Sequence, residues 1–120
     1  MTYLAYGLAI ALDLFVLFIG LRFLFVPRAA AVGYGVPATE RAFLTVKGLR
    51  DGSYGLLGLA LLAFVGPLAS AWFMLVVALN PLGDTVVVLR NGGTKAVAFG
   101  IHFATAVTVI ISSALLFAIS

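Results

Sequence analysis

The chain has 120 residues, of which 64% are hydrophobic and only 9% charged, with a net charge of +3 and no cysteine. Soluble domains carry roughly 25% charged residues, so the composition excludes water as the main solvent and leaves a bilayer. The lack of cysteine excludes disulfides, thiolate metal sites and cysteine nucleophiles. Nucleic acid is excluded as a partner because the basic residues stand singly near predicted helix ends, without a basic cluster or an aromatic platform.

The length allows about four spans of ~20 residues with short connections. The expected organisation is therefore a single membrane domain over residues 1–120, with any activity inside the bundle. Residues 3–26 form the first span, interrupted only by Asp13 and Arg22; it is too long for a signal-peptide core, and no basic segment precedes it. Pro27 stops it, and Gly33-Tyr34-Gly35-Val36-Pro37 reads as turn chemistry in the longest loop. Thr39 can cap a second span over 40–65, with Glu40 in its first turn and Gly66-Pro67 ending it. Lys47, Arg50 and Asp51 lie inside its first half, unless the span begins near Ser53 and leaves them in an interfacial helix. The third span, 68–89, contains Asn80, Pro81 and Asp84, with a kink expected at Pro81. Arg90-Asn91-Gly92-Gly93 ends it, and Thr94 caps a fourth span over 95–119 that carries His102 one to two turns in. The fold class is all-α, an integral membrane four-helix bundle.

All seven basic residues, Arg22, Arg28, Arg41, Lys47, Arg50, Arg90 and Lys95, fall in or beside the first and third loops. The positive-inside rule places those loops in the cytoplasm and both termini on the non-cytoplasmic side of a multi-pass cell-membrane protein. Trp72 and Tyr3 then sit at the outer interface, where aromatic residues anchor.

The same topology gathers the polar side chains. Lys47, Arg50, Asp51 and Tyr54 follow i, i+3, i+4, i+7 and share one face of span two. Asn80 and Asp84 are i, i+4 partners on span three, and His102, Thr105, Val109 and Ser112 form a stripe on span four. The expected result is a water-accessible pocket in the cytoplasmic half, lined by Lys47, Arg50, Asp51, Tyr54, Asn80, Asp84 and His102, with Asp13 at its floor. Asp13 lies too deep to snorkel and needs a partner such as Tyr54 or a serine. Arg22 sits half a turn of azimuth from Asp13 and can reach the headgroups instead.

A plainer reading stands beside each of these. Lys47 and Arg50 can be headgroup anchors, Arg50 and Asp51 can share a structural ion-pair network with Asp84, and His102 can be an interhelical hydrogen-bond link. Small residues, Gly7 and Ala11 in span one, Gly55 in span two, and Ala96, Gly100, Ala104 and Thr108 in span four, permit close helix contact within the bundle or in a homodimer.

The elements Phe18-Ile19-Gly20-Leu21-Arg22-Phe23, Pro27-Arg28, Val46-Lys47-Gly48-Leu49-Arg50-Asp51, Pro81-Leu82-Gly83-Asp84 and Gly100-Ile101-His102 together resemble a family of small four-helix membrane proteins known only as a domain of unknown function. The resemblance spans nearly the whole chain and implies the fold without implying a reaction. The chain is also distantly similar to DoxX-like proteins and, in general form, to membrane isomerase bundles that bind sterols.

Two functions follow from the residues. The first is an acid/base enzyme, an isomerase, cyclase or hydrolase acting on a lipophilic small molecule. Asp84 and His102 would move protons, Asp51 would orient or support them, and Arg50 and Lys47 would meet an anionic or carbonyl group. The second is a non-catalytic lipid- or quinone-binding module or accessory subunit. Neither calls for a cofactor. One histidine with dispersed carboxylates does not make a metal site, and Asn91-Gly92-Gly93-Thr94 is too short for a phosphate loop. A transporter would need more machinery than four short spans supply. The orientation makes one measurable demand: a single cysteine introduced near Ser120 labels from the non-cytoplasmic side, and labelling from the cytoplasm alone would overturn the topology.

Overall fold

A computed structural model describes residues 1–35 and 40–120, and among these every regular element is helical. Five helices follow one another: α1 (Thr2–Phe25), α2 (Pro27–Tyr34), α3 (Arg41–Val65), α4 (Pro67–Arg90) and α5 (Lys95–Ile119). All but α2 are long and apolar enough to cross a membrane. Lys47 to Asp51 lie within α3, which is continuous from Arg41. The Thr39 cap lies outside the described residues, and Glu40 stands at the N-cap of α3.

The connections show how few residues end a helix. Pro27, lacking an N–H, stops α1 and, with its φ preset, serves as the first residue of α2. The segment expected to be loop is thus a two-turn helix up to Tyr34. It closes on Gly35 at φ 99°, whose N–H reaches the Ala31 and Val32 carbonyls. Gly66, at φ 129°, makes the break between α3 and α4. Within α4 the regular helix is interrupted at Ala78, next to the Val77 carbonyl that Pro81 cannot bond. At the start of α5 the Thr94 hydroxyl accepts the Val97 N–H at 3.1 Å. A wide π-helical turn, Ala98–Phe103, then carries His102.

The helices pack as two pairs. α1 lies on α3 at backbone distance. A Cβ on Gly20 would stand 2.7 Å from the Gly48 carbonyl oxygen, and one on Gly55 would stand 2.7 Å from the Asp13 carbonyl oxygen. On α1 Gly20 permits this, and Ala5 and Ala9 are the small residues buried nearer the termini. Gly7 and Ala11 are exposed instead, because two residues either side of Ala9 point to the opposite face at ~100° per residue. The second pair is α4 and α5, joined by the Ser113 hydroxyl, which donates to the Ala71 carbonyl at 2.8 Å. Its buried face is Ala98, His102, Ala106, Val109 and Leu116. The small residues Ala96, Gly100 and Ala104 are offset from that face and exposed, contrary to a role in contact inside the bundle.

The pairs meet at the end that holds the chain termini, through Ala5, Ala9, Leu62, Ala71, Met74, Val109 and Leu116. At the other end α2 fills the space, with Ala30 and Ala31 packed on Phe23 and Leu44. A gap between these two closures is the geometric consequence.

Gly20→Ala should cost about 1–3 kcal/mol by forcing α1 off α3, whereas Gly7→Ala, with nothing within 4 Å of the added methyl, should leave stability within about 0.5 kcal/mol. Thermal unfolding midpoints in one detergent compare them. Equal midpoints would contradict the close crossing.

Candidate functional site

The gap is a cavity of about 610 Å³ with mostly apolar walls, and polar groups concentrate at the end closed by α2. There Tyr34 occupies the centre. Its hydroxyl donates to Asp84 Oδ1 on α4 at 2.6 Å, while its backbone carbonyl accepts the His102 Nε2–H from α5 at 2.7 Å. Its ring lies 4.6 Å from the His102 ring and packs edge-on to Phe23 of α1 at 6.4 Å. The Lys47 ammonium of α3 stands 4.8 Å from the Tyr34 ring centre and 4.9 Å from that of Phe23. One residue therefore touches all four long helices.

The bond to the Tyr34 carbonyl has a chemical consequence for His102. A carbonyl only accepts, so Nε2 carries a proton and, in the neutral ring, Nδ1 does not. That free nitrogen stands 3.9 Å from Asp84 Oδ2. Asp84 is in turn held by Tyr34 through its other oxygen. Burial, the hydrogen bond to Asp84 and the charge of Asp84 hold the Tyr34 hydroxyl well above its ordinary 10.0, so it remains a donor.

The ion pairs of a second cluster lie within α3 alone. Lys47 Nζ bonds Asp51 Oδ2 at 2.8 Å, and Arg50 Nε approaches Asp51 Oδ1 at 3.6 Å. Asp84 takes no part in it, so the network expected to join Arg50, Asp51 and Asp84 is divided in two. Lys47, Asp51, Tyr54, Asn80, Asp84, His102 and Asp13 all line the cavity. Arg50 does not: its side chain is 45% exposed. At i+3 from Lys47 it sits ~60° off the face that Lys47 and Asp51 share, and it leans outward.

Asp13 lies far from the polar end, on the α1–α3 seam. It is 2% exposed, with its carboxyl group against Gly58, and Oδ2 has no hydrogen-bond partner among the described residues. Tyr54 and the serines do not satisfy it. Ser112 is buried with its own hydroxyl unpartnered among the described residues. Thr105 and Thr108 line the cavity but spend their hydroxyls on the Ile101 and Ala104 carbonyls, at 2.6 and 2.8 Å.

Tyr34 was the residue sequence reasoning missed. Its flanking glycines read as a turn, and the available signal was Pro27 itself, since proline is favoured in the first turn of a helix.

A bundle of four helices able to cross a membrane, enclosing an amphipathic cavity with a Tyr34–Asp84–His102 cluster, is the class of protein that fold and site define. The chain belongs to the family described as domain of unknown function DUF4267, whose model matches residues 14–116. No curated protein and no solved structure is similar enough to match it.

Tyr34→Phe should lower stability at neutral pH by about 1.5–3 kcal/mol, the range for a hydrogen bond to a charged group. The unfolded chain ionises Tyr34 near 10.0 and the folded one above it, so this contribution is whole below that pH and falls as pH rises past it. Unfolding midpoints of wild type and variant should converge above pH 10.0; a gap that stays constant or widens would remove Tyr34 from this role.

Proposed function

We propose that the protein is an acid/base enzyme that holds a lipophilic small molecule in this cavity and shifts a proton on it, as an isomerase does. The observation that carries the proposal is His102. Its Nε2 is tied to a backbone carbonyl, and its Nδ1 is left as a base beside Asp84 on the wall of a cavity of about 610 Å³.

In this reading Nδ1 takes a proton from one carbon of the ligand and returns it to another. No oxidant, metal or carrier is needed. The Asp84 carboxylate offsets the imidazolium charge between the two transfers, and Tyr34 fixes Asp84 in place. Lys47, already paired with Asp51, faces a carbonyl or anionic group of the ligand; Arg50 supports Asp51 from outside. The four long helices cross the cell membrane with both termini outside, because the basic residues cluster at the opposite end.

The test works on a substrate of unknown structure. Membranes carrying the protein are incubated in deuterium oxide, and the extracted lipophiles are compared by mass. A proton that passes through His102 exchanges with solvent, so a lipophile should gain deuterium at carbon. His102→Ala should slow that gain about 10²-fold or more, and Asp84→Asn should slow it as well. If wild type and His102→Ala extracts match, catalysis is excluded and the binding or accessory role takes its place.

A further inference from the structure

The polar cluster accounts for one end of the cavity. Two charged residues that line it are left over, Arg22 and Asp13, and both are on α1. Arg22 makes no ion pair and no side-chain hydrogen bond among the described residues, and its guanidinium lies beside Gly33 of α2, at the polar end. Asp13 is buried at the other end of the lining, its carboxyl group against Gly58 of α3, and its Oδ2 is unpartnered among the described residues. A carboxyl group left without a hydrogen bond in such surroundings costs stability. Packing does not require it either, since the Gly58 notch exists to accommodate that carboxyl: a Cβ there would overlap it.

These two groups set a length. Nine residues separate them on one continuous helix, an axial rise of roughly 14 Å at 1.5 Å per residue with half a turn of azimuth that the long Arg22 side chain makes up to reach the cavity; that rise is close to the span of an extended chain of about a dozen carbons. The wall between them is apolar, formed by Val16 and Ile19. It is also open on one side. The lining residues Phe15 on α1 and Gly100, Ile101 and Ala104 on α5 are exposed, because those helices meet at the Ala5, Ala9 and Leu116 end and part beyond it. The outward face there is hydrocarbon-compatible, so a ligand can pass into the cavity sideways from the acyl chains without crossing water.

We propose that the ligand is a lipophile with a polar group at each end: an acidic or carbonyl head seated at Arg22, and a hydroxyl roughly 14 Å away hydrogen-bonded to Asp13, admitted through the slot between α1 and α5. A hydroxyl suits Asp13 because it both donates and accepts. This rests on the reading that the cavity takes a lipophile, and it adds which one. Arg22 and Asp13 are binding residues here and take no part in the proton transfer at His102.

The experiment measures binding of ω-hydroxy fatty acids, eight to sixteen carbons long, and of the matching plain fatty acids to purified protein in nanodiscs, by calorimetry. Wild type should prefer the hydroxy acid about tenfold, the worth of one buried hydrogen bond, with the preference greatest near a dozen carbons. Asp13→Leu should erase the preference while keeping the plain acid, and Arg22→Gln should weaken both acids alike. Equal affinity of wild type for the two series overturns the proposal and leaves the proton-transfer reading standing. So does a preference that survives Asp13→Leu. Binding of neither series also overturns it, and the deuterium experiment then decides separately whether the cavity acts on a different lipophile. The wild-type comparison is decisive by itself should Asp13→Leu fail to fold.

Discussion

Tyr34 is held from three directions: its hydroxyl by Asp84, its carbonyl by His102, its ring by Lys47 and Phe23. Beside it Gly35 lies against Val88 of α4 and Val97 of α5. Around the termini, small residues let α1, α3, α4 and α5 converge on Met74 and Leu116. Away from the termini the pairs diverge, and the short helix α2 is the wedge. Each bond that fixes Tyr34 also prepares the site, because one tautomer of His102 and one orientation of Asp84 are selected by the same contacts that close the bundle. Cohesion and chemistry are therefore hard to separate here by deleting whole side chains. They separate by removing single atoms, such as the Tyr34 hydroxyl.

Glycine does the corresponding work on the opposite wall. Gly20, Gly48 and Gly55 bring α1 and α3 to backbone distance. So tight a seam leaves one side of α1 for α3 and turns Val16, Ile19 and Arg22 toward the gap. Asp13 falls on the border between the two, with its backbone in the seam and its carboxyl group in the Gly58 notch. A bundle with larger residues on this seam would space its helices evenly and fill its centre. This one concentrates its contact in two pairs and keeps a hollow between them.

Much of this was legible in the sequence. Hydropathy, Pro27, Gly66-Pro67 and the Thr94 cap mark the helices because each acts locally, through hydrogen bonds within a few residues. Helical spacing also brought Lys47 with Asp51 and Asn80 with Asp84, since i, i+4 neighbours share a face whatever the tertiary structure. What depends on azimuth between helices was not legible. The buried small residues of α1 are Ala5 and Ala9 instead of Gly7 and Ala11, and Arg50 leans out of the stripe. Nothing local distinguishes these faces in helices that are apolar all round. Tyr34 was hidden for a different reason: it stands between two glycines at the end of a helix of 8 residues, too few to show a period.

His102 is the only histidine in the chain, which makes its ring the most direct probe of the central claim. Nitrogen-15 chemical shifts of ring-labelled protein in bilayers report which nitrogen carries the proton in the neutral form. The account predicts the Nε2–H tautomer, with Nδ1 free of a proton. A neutral ring protonated at Nδ1 would contradict it, because the bond to the Tyr34 carbonyl would be absent and the base would face away from Asp84.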